Sequence, residues 1–300
     1  MDGKIVLNAR VQKKDSSQAV VIAVTSSSIF DLEGWQKTVT EEDKQELQPH
    51  SAANENKPFK MGAAFPFIMA VQRVNEKLLE MNPEETLLFD VILLSKNGSP
   101  EIRSRVEDSV VHYGLDIGRF YFSGDDDFAE PLRSNNVKLF LSTDADDVCK
   151  ALERGVPAAQ LYQQCVQETA GPLRVLFAGD ALGLSDDTEH PLREQGFSEA
   201  QLQSIAAAKG AMKEFATCMG EMRRRFGRDG SSLLCTCLMM AWSPRDVCVG
   251  ALKTLRGWGL EVDEAFCLAG APRSPILAHL QPHILYDHGL QNARNSPAQC

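Results

Sequence analysis

The sequence predicts an α/β protein built on a Rossmann-like parallel sheet with flanking helices, and three observations carry that prediction. Short β-branched or apolar runs alternate with longer stretches of three-and-four apolar spacing, the pattern of strands joined by crossover helices. The alternation occurs twice, so the chain reads as two duplicated α/β halves with small helical cap insertions. The chain has 300 residues, 43% hydrophobic and 24% charged, which suits a folded domain with a sizeable core and excludes disorder, collagen and coiled coil as the dominant state.

In chain order, residues 1–17 have a mild basic bias without an apolar core and cleavage site, so they are expected to be a flexible terminus and not a signal peptide. Strands are expected at Ala19–Val24, Phe89–Leu94, Arg119–Phe122 and Val137–Leu141, then at Leu173–Phe177, Leu233–Ala241, Ala265–Leu268 and His283–Tyr286. Helices are expected at Phe67–Leu79, Ile102–Tyr113, Ala200–Phe226 and Arg245–Trp258. Phe65-Pro66-Phe67 marks a helix start, because proline is accommodated in a first turn. Gln36–Lys60 is polar and ragged, a loop or small insertion. The N-terminal half spans 18–150 and the C-terminal half 170–292, with a cap-like insertion near 188–230 and a frayed tail at 293–300.

The landmarks of the repeat are Gly114 with Gly259, Gly124 with Gly270, Asp144 with Asp287, and Gly62 and Phe67 with Gly210 and Phe215. Their offset stays close to about 145 residues throughout.

The formal net charge of −10 argues against non-specific nucleic-acid binding, which needs clustered cations, and against an anionic membrane surface. No run approaches the ~18 apolar residues of a membrane span. Eight scattered cysteines without a structural CxxC pair suggest reduced thiols and a cytosolic protein. Cys235 and Cys237 alternate along an apolar strand, which favours core packing over metal ligation. The basic run Arg223-Arg224-Arg225 suits a helix C-terminus, and Asp125-Asp126-Asp127 suits a solvated turn. His112 and His283 are expected at helix and strand edges, while His288 adjoins the expected site.

That site is the end of the strand Leu173–Phe177, where Ala178-Gly179-Asp180 forms a tight turn carrying an acid. Carboxyl ends of parallel strands are where open α/β sheets place ligands. Asp186, Asp187 and Glu189 follow and offer oxygen donors for a divalent cation, although acids after a strand are also ordinary helix caps.

These residues resemble the first motif of haloacid-dehalogenase-like phosphatases. More closely, the chain is similar to the cytosolic 5'-nucleotidase I family through GAAFPFIMAVQRVN (62–75), FDVILLSKN (89–97), VLFAGDALGLSDD (175–187), ALKTLRGWGLEVDEAFCLAGAPRSPIL (251–277) and PHILYD (282–287). The resemblance covers most of 18–290. It implies a haloacid-dehalogenase-like core, Mg²⁺-dependent hydrolysis of nucleoside 5'-monophosphates such as AMP, a cytosolic location and homo-oligomers.

Position by position, the chemistry the resemblance implies is incomplete. The family's Phe-Asp-Gly-Asp-Ala reads Phe177-Ala178-Gly179-Asp180-Ala181 here, so the nucleophile and metal ligand is replaced by a methyl group. Asp180 keeps the acid/base place and a metal-ligand place. The second motif's Thr falls on Met240 and its Arg on Trp242, with Ser243 displaced nearby as a phosphate donor. The third motif's Lys is Arg273, and the fourth motif's paired acids are Asp287 and His288, candidate metal ligands.

The resemblance with these departures predicts a protein whose Mg²⁺ binding is weakened or lost and whose catalysis is impaired. It would act by binding a nucleotide through Gly179, Arg273, Ser243 and a first-half cluster of Ser26, Ser27 and Ser95, or by pairing with itself or with active relatives. The alternatives are an active 5'-nucleotidase in which Asp180 activates water, and an interaction protein with no ligand.

Overall fold

The computed structural model describes residues 5–32, 57–62, 64–124, 128–154, 156–161, 171–179, 199–227, 233–240 and 245–286. Its centre is a ten-stranded sheet in the order β1-β6-β5-β2-β7-β8-β12-β9-β10-β11. The first-half strands are β1 (Ile5–Leu7), β2 (Val20–Thr25), β5 (Phe89–Ser95), β6 (Ile117–Phe122), β7 (Leu139–Ser142) and β8 (Ala158–Leu161). The second-half strands are β9 (Leu173–Ala178), β10 (Leu234–Met240), β11 (Glu264–Cys267) and β12 (Ile284–Tyr286). Two short strands, β3 (Phe30–Asp31) and β4 (Lys60–Met61), pair separately.

Eight helices flank the sheets among the described residues: α1 (Ser26–Ile29), α2 (Phe65–Met81), α3 (Pro100–His112), α4 (Ala129–Ser134), α5 (Ala145–Glu153), α6 (Glu199–Phe226), α7 (Arg245–Gly257) and α8 (Ser274–Leu280). Helices α2, α3, α6 and α7 share one continuous core on one sheet face, including Phe67, Val71, Val106, Phe215, Met219 and Leu255. On the other face α4 and α5 cover the first half, and α8 covers the second. Strands buried on both faces read as mostly apolar runs, which is why β2 and β5 were legible as AVVIAV (19–24) and FDVILL (89–94), the latter interrupted by Asp90.

The same strand order appears twice. The run β6-β5-β2-β7 is matched by β11-β10-β9-β12. Helices α3 and α7 end alike, at Gly114 and Gly259, which have φ of 62° and 82°. In each, the glycine N–H donates three residues back and the following leucine N–H five residues back, closing a Schellman-type cap that L side chains resist. Strands β2, β5, β6, β7 and β8 are mutually parallel, as are β9 to β12, but β8 and β12 meet antiparallel. The halves therefore point in opposite directions within one sheet.

Four expectations need correcting. The terminus expected to be flexible holds β1, paired antiparallel with β6, and Lys14 forms a 2.8 Å ion pair with Asp116. Three consecutive apolar residues are too few to announce a strand without their partner. The cap-like insertion is, over Glu199–Phe226, the crossover helix α6 between β9 and β10. Met212, Phe215, Ala216, Met219, Met222 and Phe226 bury an apolar stripe against the sheet, so α6 has the place α2 has in the first half.

Gly62 and Gly210 do not correspond. A Cβ at Gly62 would press on the backbone of Ser28, Ile29 and Phe30, whereas Gly210 sits within α6 in open space. The pairing of Leu141 with Val24 matches that of Tyr286 with Phe177, so Leu141 and Tyr286 are two residues out of step with the Asp144–Asp287 landmark. Asp144 caps α5 through a 2.9 Å bond from the Asp146 N–H, and Asp287 lies outside the described residues.

The basic run at the end of α6 is structural. Arg223 forks onto Asp263, and Arg225 reaches Glu85 of the first half at 3.1 Å. Asp125–Asp127 lie outside the described residues.

One core polar group stands out. Tyr286 stacks on Phe177 at 5.9 Å and lies 6.1 Å from Phe215, yet its hydroxyl has no hydrogen-bond partner among the described residues. A buried hydroxyl without a partner costs about 1–3 kcal/mol. Tyr286→Phe is therefore expected to stabilise the fold by about 1 kcal/mol in urea denaturation, and a loss of stability would show that the hydroxyl is satisfied.

Candidate functional site

Each half has a topological switch point, where the chain leaves a central strand for neighbours on either side. Crevices at the carboxyl ends of such strands are the preferred ligand sites of open α/β sheets. The switch points lie between β2 and β7 in the first half and between β9 and β12 in the second. Because the halves are antiparallel, these two crevices open at opposite ends of the sheet.

That geometry divides the predicted site. Ala178, Gly179 and Met240 lie at the carboxyl ends of β9 and β10, and Arg273 follows the carboxyl end of β11. Ser26 and Ser27, just after β2, and Ser95, the last residue of β5, lie at the opposite end. A six-residue strand spans about 20 Å, so the two groups cannot share one phosphate. The expectation of a joint site is corrected accordingly; sequence offsets identify equivalent positions but not the direction in which they face. Asp180, Ser243, Asp287 and His288, together with Asp186, Asp187 and Glu189, lie outside the described residues.

At the second-half end, Ala178 and Met240 are each 1% exposed. Gly179 donates its N–H to the Met239 carbonyl at 2.9 Å, so that amide is already engaged. A Cβ built on Gly179 would overlap the Leu238 side chain and the Met240 sulfur. The thioether thus lies directly against the glycine of the turn. Arg273 is half-buried and precedes α8, in a loop turned by Gly270 with φ of 87°.

A Mg²⁺ ion needs hard oxygen ligands in near-octahedral geometry. Ala178 offers a methyl group, Gly179 no side chain and Met240 a soft thioether. The described part of this crevice does not fit the ion, and no group of three or more His, Cys, Asp or Glu among the described residues is placed to hold one.

The first-half crevice is polar and closed. Thr25 Oγ1 lies 2.6 Å from Ser28 Oγ and 3.3 Å from Ser142 Oγ, bridging the two strands at the switch point. Ser28 Oγ lies 3.0 Å from Thr143 Oγ1 and accepts the Thr143 N–H at 2.9 Å. Ser142 donates to Asp147 at 3.3 Å, and Lys96 reaches the other Asp147 oxygen at 2.6 Å. Ser95 donates to the Asn97 carbonyl, Ser26 is buried and Ser27 is exposed. Thr25 and Ser28 belong to the hydroxyl-rich run at the end of the first strand that the sequence offers for phosphate, whereas Ser142, Thr143, Lys96 and Asp147 were missed. Isolated hydroxyl residues carry no spacing signal until a topology brings β2 and β7 together.

The comparisons agree with this framework. A sequence model described as 5'-nucleotidase matches residues 12–299. Human cytosolic 5'-nucleotidase 1B is 35% identical over 279 residues, covering 90% of this chain and 46% of that protein. The chain thus spans about half the length of this curated relative. No solved structure matches it. Among the described residues, no helix is long and apolar enough to cross a membrane. A family match running over nearly the whole chain and a relative of this identity lead to one assignment: the chain belongs to the 5'-nucleotidase family.

Proposed function

We propose that this chain is a catalytically impaired 5'-nucleotidase of the cytosol, which acts by holding a nucleoside monophosphate such as AMP or by pairing with active relatives. The observation that supports the reading is the contact of the Met240 sulfur with Gly179 beside the Ala178 methyl. Covalent phosphoryl transfer needs a carboxylate nucleophile and donors aimed at the transferring oxygens. The crevice presents apolar groups at both places. Phosphate monoesters hydrolyse so slowly unaided that accelerations up to ~10²¹ are required, so losing the nucleophile leaves little turnover. Arg273 retains a positive charge at the same end of the sheet, which suits holding an anion without transferring it.

The test has two parts. Purified protein with AMP and Mg²⁺ is expected to release no phosphate above background, and turnover near the ~10 s⁻¹ typical of enzymes would overturn the reading. AMP at about 100 times its dissociation constant is expected to stabilise the fold by ~2.7 kcal/mol. The absence of a shift would remove nucleotide holding and leave pairing, which co-purification with a tagged active 5'-nucleotidase then decides.

A further inference from the structure

Cys235 and Cys237 lie on the same face of β10, on either side of Thr236, with their sulfurs 3.8 Å apart. Cys237 is buried and Cys235 half-buried, so one thiol faces solvent and the other stands behind it. Both border the small core beneath α8, a helix of only seven residues. Successive same-face residues of a strand are about 6.6 Å apart at Cα. Disulfides span roughly 4.4–6.8 Å, so a bond here sits at the long, readily reduced end of the range.

We infer that Cys235 and Cys237 form a reversible thiol–disulfide pair within β10, oxidised by peroxide. The inference is independent of whether the chain hydrolyses nucleotides. Cys235 thiolate attacks one peroxide oxygen, the O–O bond breaks, and hydroxide leaves with Cys235 as a sulfenic acid. The Cys237 sulfur then attacks the Cys235 sulfur, the S–O bond breaks, and the Cys237 proton leaves with the departing hydroxyl as water. Two electrons pass from the dithiol to one peroxide. The order of events follows from the environment. The hydrogen bond from Cys237 holds the Cys235 thiol below its ordinary value, and that same bond, with burial, pushes Cys237 up. Arg174, opposite Cys235 on β9, adds positive charge.

The bridge has a structural consequence. Thr236, between the two cysteines, donates its N–H to Asp263 at 2.7 Å and its hydroxyl to the Glu261 carbonyl at 2.5 Å, while Arg223 binds both Thr236 and Asp263. Drawing Cys235 and Cys237 together puckers the strand at Thr236 and loosens this clamp, which seats the edge strand β11.

Peroxide-treated native protein, blocked with iodoacetamide and digested with trypsin, provides the test. The peptide covering 229–245 contains both thiols and no other cysteine. It is expected to become lighter by two hydrogens at peroxide equimolar with protein, and to revert with excess reduced glutathione. Cys237→Ser is expected to stop at a dimedone-trapped sulfenic acid on Cys235, and Cys235→Ser to leave Cys237 unreacted. Two alkylated thiols in that peptide, at a peroxide dose that oxidises another cysteine of the chain, would overturn the inference. So would a bond from Cys235 to any other cysteine. The native-protein measurement stands even if a serine variant fails to fold.

Discussion

Ala178→Asp alone is expected to leave AMP hydrolysis undetectable, while Ala178→Asp combined with Met240→Thr raises it by at least about a thousandfold over the unmodified chain. The single change returns a carboxylate but leaves the Met240 sulfur against Gly179, where the phosphoryl oxygens would need a donor. The second change exchanges a buried thioether for a hydroxyl and opens the crevice. Removing a covalent nucleophile costs on the order of 10⁶ in turnover, and removing one oxyanion donor about 10²–10³. A double reversion that leaves the other altered positions untouched should therefore recover part of the total.

Stability gives an independent reading of the same pair. A carboxylate at a position that is 1% exposed has no described partner to offset its desolvation, so Ala178→Asp is expected to cost several kcal/mol in urea denaturation. If the outer part of the crevice can still supply ligands, Mg²⁺ restores part of that loss in the double variant and not in the unmodified chain. Robust hydrolysis by Ala178→Asp alone would show that Met240 yields and that a carboxylate at position 178 is sufficient for turnover.

What was legible in the sequence follows from where each signal resides. Eight of the ten strands of the main sheet are read within a residue or two; β2 is buried on both faces and apolar up to Thr25, and β5 carries one polar residue, Asp90, ahead of the run Val91–Leu94. The ends of α3 and α7 are read from glycines because a left-handed cap leaves few alternatives. Ala178 and Met240 are found by counting along fixed blocks.

The remainder depends on three-dimensional partnership. β1 exists because β6 has a free edge, and β8 exists because it lies between β7 and β12. Nothing in the alternation of strands and helices announces that the second half runs against the first. That reversal alone decides that Ser26, Ser27 and Ser95 cannot join Gly179 in one site. The Met240–Gly179 contact is likewise a product of register, since it needs β9 and β10 aligned with Ala178 opposite Met239.

Acid should unfold this protein through His283. The imidazole is 8% exposed at the entrance to β12. Its Nδ1 accepts the Arg174 N–H at 3.1 Å, while its own backbone N–H donates to the Arg174 carbonyl at 2.9 Å. Burial pushes its pKa from 6.5 down to about 4, helped by the cations of Arg174 and Arg73. The folded state therefore keeps the ring neutral where the unfolded chain takes up a proton. Stability is fully present above the unfolded value and falls as pH drops from about 6.5 towards 4, because there the unfolded chain binds more protons. Between about pH 7.5 and pH 4.5 the loss from this one residue is about 2–3 kcal/mol.

His283→Gln separates that contribution from the titration of carboxylates. The amide oxygen can still accept from Arg174 but does not titrate. Urea denaturation at the two pH values should show the wild type losing about 2–3 kcal/mol more than the variant. Equal losses would mean that the imidazole gains its proton without unfolding. Arg174 and His283 link the beginnings of β9 and β12, the strands that flank the second-half crevice. Protonation there strains the pairing that sets Phe177 beside Tyr286, and with it the position of Ala178 at the end of the same strand.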